Sequence, residues 1–213
     1  MDAEKKALVF EVARASFAPA ERDAWIALAA FSTWSGYLDA CSSIARDECA
    51  VLSDLLASGE LDALRHPLDY EAVRSFAARH FTGGLPQSVV PVESLYRTNP
   101  SQVPAYGGPS ARYMGDLASS MGLELPARFA STPDHLAVEA GMAALLYRSD
   151  ANLADSFVSE RFTWLADFRL ALVALDDDER MFFCALVDVI VALVECIRSG
   201  RHEAVSTNNL ERK

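Results

Sequence analysis

The sequence lacks the local motifs that mark several large classes of enzyme. It contains no Gly-Lys pair, and therefore no phosphate-binding loop of the Walker type. It also has neither a Gly-x-Gly-x-x-Gly pattern for dinucleotides nor a Gly-x-Ser-x-Gly pattern for a hydrolase nucleophile. Nucleotide and hydrolase chemistry therefore have no local support in this chain.

Cysteine and histidine are scarce as well, with four residues of each. No Cys-x-x-Cys occurs and no two histidines lie four residues apart, so neither a zinc ribbon, a dithiol redox pair nor a zincin is indicated. We expect no metal and no other cofactor. The cysteines lie in apolar stretches, where we expect reduced, buried thiols: Cys41, Cys49, Cys184 and Cys196.

Basic residues are outnumbered, 19 against 30 acidic ones, which gives a formal net charge of −11. Nucleic acid is therefore a poor partner, because phosphate binding needs a basic surface. The N-terminus is not typical of a secretory signal peptide. The most apolar run, residues 181–197, is interrupted by Asp188 and Glu195, and so predicts a buried helix rather than a membrane span. We expect a cytoplasmic protein that does not insert into membranes.

Alternation typical of strands is almost absent, and apolar residues recur with helical spacing. The sequence therefore predicts an all-α fold. Five of the nine prolines and four of the ten glycines fall in residues 82–110, which predicts a long irregular connection. The predicted divisions are an N-terminal helical part (1–81), the irregular segment (82–110), a C-terminal helical part (111–200) and a frayed polar tail (201–213).

Capping residues and breakers predict where individual helices begin and end. A helix begins near Pro19, with Gly36 as a site for a kink or a close approach to a neighbour. Thr132 is the predicted N-cap of a later helix that has Asp134 in its first turn. Further helices are predicted at residues 2–15, 46–58, 69–80, 110–121 and 151–175, with a last helix ending at residues 198–200.

Two side chains of the helix after Thr132, His135 and Glu139, are four residues apart and share a face. With Asp134 they have the composition of an acid–base pair or of half a metal site. The alternative is structural: Asp134 caps the helix, and His135 makes a hydrogen bond to the irregular segment. The three tryptophans are expected in the core. The alternative for some of them is that they line a groove that binds an apolar helix or peptide.

Two motifs in this chain resemble those of one family of chaperones. The first is Pro-Val-Glu-Ser-Leu-Tyr at residues 91–96, and the second is Pro-Asp-His-Leu-Ala-Val-Glu at residues 133–139. Downstream lies Arg-Phe-Thr-Trp-Leu-Ala-Asp-Phe at residues 161–168. In this order and spacing they resemble the TorD/DmsD family, cytoplasmic chaperones for molybdenum enzymes exported by the twin-arginine route. The resemblance spans roughly residues 20–198.

The resemblance implies an all-helical globule without catalytic activity, built of an N-terminal and a C-terminal helical part with residues 82–110 as the hinge between them. It implies binding of the twin-arginine signal peptide and apo-form of a molybdopterin-dependent oxidoreductase catalytic subunit, support of cofactor insertion, and in some members a domain-swapped homodimer. Arg161 stands where the family usually has His, and Ala166 where it usually has Pro, which bears on the partner more than on the fold. The peptide-binding residues implied are Pro91, Glu93, Tyr96, Pro133, Asp134, His135, Glu139 and Trp164.

Two alternatives from other classes remain open. One is a helical scaffold or dimerisation module that binds no signal peptide. The other is a nucleotide-binding switch built on Asp134, His135 and Glu139. An acidic protein with an apolar hinge segment complements a signal peptide, which has a basic end and an apolar middle, and this favours the chaperone.

Overall fold

The computed structural model of the chain describes residues 3–82, 88–97 and 103–210. Over these residues it is helical, and one isolated antiparallel bridge joins Val92 to His135. The predicted all-α fold is confirmed. The helices are α1 (Ala3–Phe17), α2 (Arg22–Leu28), α3 (Phe31–Glu48), α4 (Ala50–Ser58), α5 (Tyr70–His80), α6 (Gly108–Ser120), α7 (Leu136–Ser149), α8 (Ala151–Arg161), α9 (Leu165–Val173) and α10 (Arg180–Leu210). Short 3₁₀ turns cover Asp62–Arg65, Glu93–Leu95, Ala127–Phe129 and Phe162–Trp164.

Helix α10 supplies the centre of the core. Phe182 and Phe183 are almost fully buried, and their rings meet edge to face at a centroid distance of 5.3 Å. Phe183 stacks on Phe76 of α5 at 4.6 Å and contacts Phe17 of α1 at 5.6 Å. Aromatic pairs with these geometries add to the free energy gained by burial. The apolar run at residues 181–197 is therefore a core helix, and none of the described helices is long and apolar enough to span a membrane.

The first helix packs against the second half of the chain. Helix α1 makes its most extensive contact with α7, where Phe10 stacks on Tyr147 at 5.7 Å. The two helices approach closely at Gly141, where an added Cβ would lie 2.8 Å from Cδ of Arg14. One continuous core thus includes residues from both predicted helical parts. The division of the chain at residues 82–110 stays a prediction, because residues 83–87 and 98–102 lie outside the described part.

The helix predicted from Pro19 is interrupted at residues 29–30 rather than kinked at Gly36. Ala30 has ψ of 137° and separates α2 from α3. The break allows Trp25 and Trp34 to contact the same ring, Phe182, at 6.0 and 5.2 Å. In a straight helix, residues nine positions apart lie on opposite faces, so the two indoles would point away from each other and not toward one ring. Gly36 lies within α3, and an added Cβ would meet nothing there within 4 Å.

The start of α7 also differs from its prediction. The N-cap is His135, whose Nδ1 accepts a hydrogen bond from the backbone N–H of Ala137 at 3.1 Å. Thr132 is therefore not the cap, and Asp134 precedes the helix instead of occupying its first turn. The reason is a long-range contact: residues 134–136 form backbone hydrogen bonds with residues 91–93, which holds them extended.

The last helix continues to Leu210, beyond the end predicted at residues 198–200. Gly200 does not adopt the positive φ that is typical of a glycine at a helix end. Gly59 and Gly122 do have a positive φ, at 83° and 67°. These two glycines follow the ends of α4 and α6 as predicted.

The expectation of four reduced cysteines is wrong for two of them. Cys49, between α3 and α4, forms a disulfide with Cys196 of α10, with the two Cα atoms 5.5 Å apart. The residues are 147 positions apart in sequence, so spacing alone gave no sign of the pair. Cys41 and Cys184 are free and buried, as expected.

The disulfide can be tested by counting thiols. Alkylation of the denatured, unreduced protein should modify two cysteines, Cys41 and Cys184, and prior reduction should raise the count to four. Because the bond closes a long loop, the Cys49→Ser plus Cys196→Ser variant should lose about 2–4 kcal/mol of stability. Modification of all four cysteines without reduction would show that the protein in solution lacks the bond.

Candidate functional site

The two motif segments identified in the sequence bind each other directly. The backbone N–H of Leu136 donates to the carbonyl of Pro91 at 2.9 Å, and the N–H of Glu93 donates to the carbonyl of Asp134 at 3.0 Å. One carboxylate oxygen of Asp134 accepts from the backbone N–H of Ser94 at 2.9 Å. We call residues 91–97 and 132–139 together the motif junction. It fastens part of the irregular segment to the start of α7.

A buried ion pair lies at the centre of the motif junction. Glu93 is fully buried, and its carboxylate accepts a short hydrogen bond from the guanidinium of Arg161, at the end of α8. Its other oxygen lies 2.9 Å from Nε of Arg97, a residue four positions further on. The guanidinium of Arg161 also lies over the ring of Tyr113 on α6, 4.6 Å from its centroid. Arg161 therefore connects α6 and α8 to the irregular segment.

Glu139 is a second fully buried carboxyl group beside this pair. Burial raises its pKa well above the ordinary value, and the neighbouring negative charge of Glu93 raises it further. The positive charge of Arg161 and a hydrogen bond from Nε1 of Trp164, at 3.0 Å, oppose this shift without overcoming it. The raised pKa favours the protonated form of Glu139, while the guanidinium of Arg161 is paired with Glu93.

Aromatic rings close one side of the motif junction. Trp164 is 2% exposed, and its ring stacks on Tyr96 with a centroid distance of 5.3 Å. Phe168 of α9 contacts both rings, at 5.6 Å from each. The hydrogen bond from Trp164 to Glu139 thus links this aromatic group to the buried carboxyl groups.

His135 lies at the edge of the motif junction and is half-buried. Burial, together with the positive charge of Arg128, lowers its pKa to about 4. Its ring lies 4.9 Å from Phe129, between centroids. At neutral pH His135 is therefore an uncharged cap whose Nδ1 is already used by the backbone of α7.

The structure brings the eight predicted binding residues together, but most of them are not accessible. Five are buried: Pro91, Glu93, Asp134, Glu139 and Trp164. Tyr96, Pro133 and His135 are half-buried, and Arg97 in the same junction is exposed. Sequence reasoning missed the ion pairs that Arg97 and Arg161 form with Glu93. The i,i+4 spacing of Glu93 and Arg97 was a usable signal, whereas Arg161 was noted only as a departure from the family pattern.

Two apolar grooves flank residues 88–92. On one side is the His135 groove, of about 420 Å³, lined by Phe81, Thr82, Val90, Val92, Tyr106, Ser131, Thr132 and His135. On the other is the α9 groove, of about 580 Å³, lined by Ser88, Val89, Val103, Pro104, Ala171, Ala174 and Leu175. Within the described residues, no group of three or more His, Cys, Asp or Glu side chains could hold a metal ion.

Comparison with known families identifies the class of protein. The model of a family described as nitrate reductase delta subunit matches residues 45–174, more than half of the chain. The chain belongs to this family, which includes chaperones of the NarJ and TorD/DmsD type. These are maturation factors for molybdoenzymes and not catalytic subunits. A search of the curated proteins gives no match.

The proton on Glu139 makes stability depend on pH. A carboxyl group whose pKa is raised on folding contributes stability that is fully present below its unfolded pKa, near 4.5, and is lost as the pH rises through the folded value. Above the range in which His135 titrates, the wild-type protein should therefore lose stability as the pH rises toward the folded pKa of Glu139. Glu139→Gln, which stays neutral, should flatten this slope in urea unfolding curves. An unchanged slope in the variant would mean that Glu139 is ionised in the fold.

Asp134 is expected to act through Ser94 and not as a helix cap. Asp134→Ala leaves the buried backbone N–H of Ser94 without its acceptor, which should cost about 1–3 kcal/mol of stability. Asp134→Asn retains an acceptor oxygen and should recover much of that loss. Equal melting temperatures for wild type and Asp134→Ala would contradict the assignment.

Proposed function

We propose that this chaperone binds the twin-arginine signal peptide and apo-form of one molybdopterin-dependent oxidoreductase catalytic subunit. It does so in the cytoplasm, before cofactor insertion and export. Family membership supports the general role in molybdoenzyme maturation. The recognition of a signal peptide is the further step proposed.

The observation that carries the proposal is that two grooves lie beside the motif junction. The carboxylates of Glu93 and Asp134 are bound inside the fold, and Arg97, which pairs with Glu93, is the charged group of the junction that is partly exposed. The valines of residues 88–92 are buried and line the bases of the grooves on either side: Val89 the α9 groove, Val90 and Val92 the His135 groove. Grooves of this kind suit an apolar peptide segment.

The predicted binding residues then divide into two roles. The half-buried residues Tyr96, Pro133 and His135 contact the client, and of these three His135 lines the His135 groove. The buried residues position them, since Trp164 supports the ring of Tyr96 and the hydrogen bond of Asp134 fixes the backbone beside His135. The geometry gives the nucleotide-binding alternative no support, because Glu93, Asp134 and Glu139 would place three buried carboxyl groups against a phosphate.

Affinity purification with a tagged chain tests the proposal. Isolated from its native cells and analysed by mass spectrometry, the chaperone should be enriched in the catalytic subunit of a molybdopterin oxidoreductase that carries a twin-arginine signal. Deleting that signal peptide from the client should reduce recovery. A chain that recovers no molybdoenzyme subunit above an identically tagged unrelated protein would support the scaffold alternative instead.

A further inference from the structure

The α9 groove has two walls from distant parts of the sequence. One wall comes from the irregular segments, with Val89, Val103 and Pro104, and the other from the end of α9, with Ala171 and Leu175. Among the described residues that line it, all are apolar except Ser88, which contributes a hydroxyl group. The buried motif residues do not reach this groove, so its specificity depends on other side chains.

Exposed apolar side chains continue the apolar surface beyond the lining of the α9 groove. Val103 is 87% exposed, and on α9 Leu170 and Val173 are 70% and 47% exposed. Leu170 and Val173 are three residues apart and therefore lie on the same face of the helix. Single exposed apolar residues are ordinary, but a group of them beside an apolar groove is typical of an interaction surface.

An acidic run begins where the groove ends. Residues 176–179 follow Leu175 directly and are all acidic. Asp177 is engaged within the fold, since it binds Arg79 and His80, each at 2.7 Å. Asp176 and Asp178 are exposed, and the nearest cation to Asp178 is that of Arg180, at 3.9 Å. Negative charge thus faces solvent at one end of an apolar groove.

We infer that the α9 groove binds the apolar stretch of the client's signal peptide, while Asp176 and Asp178 attract the arginine pair that precedes this stretch. The inference rests on the proposed function and names the place of binding. A peptide with a basic end and an apolar middle matches the groove in both respects, and the acidic end steers the encounter. Residues that flank the apolar stretch are free to reach the His135 groove on the other side of residues 88–92.

The same charges argue against a second copy of the chain as the occupant. In a twofold dimer through this surface, both copies would contribute the same patch, and the two acidic runs would lie in one interface. With a formal net charge of −11, the chain gains nothing electrostatically from self-association here. A basic peptide does not meet this repulsion.

Crosslinking with the intact chaperone locates the peptide. The probe is a synthetic peptide with two adjacent arginines followed by an apolar stretch that carries a photoreactive leucine. Crosslinks should map to residues 88–89, 103–104 and 170–175. Crosslinks confined to other surfaces, with binding intact, would overturn the inference and leave the proposed function standing. A wild-type chain that does not bind the peptide would overturn both.

Matched variants test the two features separately. Ala174→Trp fills the groove from an exposed position and should weaken the peptide's affinity at least about tenfold in calorimetric titration. Leu153→Ser, an exposed apolar position on α8, is its control and should change little. Should Ala174→Trp lower the melting temperature, Leu170→Ser provides a second test on an exposed side chain. Wild-type affinity in both groove variants would overturn the inference.

The role of the acidic end is tested with two double variants, each of which removes two negative charges from a different part of the surface. Asp176→Asn plus Asp178→Asn should weaken binding of the arginine peptide and reduce its dependence on salt, but should not affect a peptide whose arginines are glutamines. Asp54→Asn plus Asp116→Asn removes the same charge from exposed positions on α4 and α6. If both pairs weaken binding equally, overall charge and not the acidic end would account for the effect, which would overturn this part of the inference.

Discussion

The buried pair of Glu93 and Arg161 is the interaction on which the motif junction depends. It joins an irregular segment to the end of α8, and through the ring of Tyr113 to α6. Removing one partner of a buried pair costs about 3–5 kcal/mol, because it leaves the other charge unpaired. Two buried carboxyl groups lie beside the cation of Arg161, and Arg97 also pairs with Glu93; the raised pKa of Glu139 favours its neutral form and so lessens the repulsion between the two carboxyl groups. Packing, charge and protonation are thus coupled at this point.

Arginine at position 161 makes this arrangement distinctive. The resemblance to TorD/DmsD chaperones leads one to expect histidine there, a side chain whose charge depends on pH. Arginine stays charged, presents several N–H donors and stacks on aromatic rings, and the structure uses all three properties against Glu93 and Tyr113. The departure from the family pattern therefore gives the motif junction an ion pair, between Arg161 and Glu93, whose positive charge does not depend on pH.

Short-range signals were readable from the sequence, and long-range ones were not. Asp69 caps α5, and Gly59 ends α4, because each acts on its own neighbours. The break at residues 29–30 depends on Phe182, and the extended backbone at Asp134 on Ser94, 40 residues away. The disulfide of Cys49 likewise depends on α10. The local sequence pattern does not reveal which distant residue will be the partner.

The same distinction applies to the candidate site. The motif residues were found from the sequence because their chemistry is unusual: three acids, a histidine and a tryptophan at fixed spacing. That chemistry is largely consumed in holding the fold together, since Glu93, Asp134 and Glu139 are fully buried. The groove surface comes from residues such as Val103 and Ala174, which are common in any helical protein and carry no signal of function. A motif can therefore identify the family while part of the client-binding surface that we propose is made by side chains outside it.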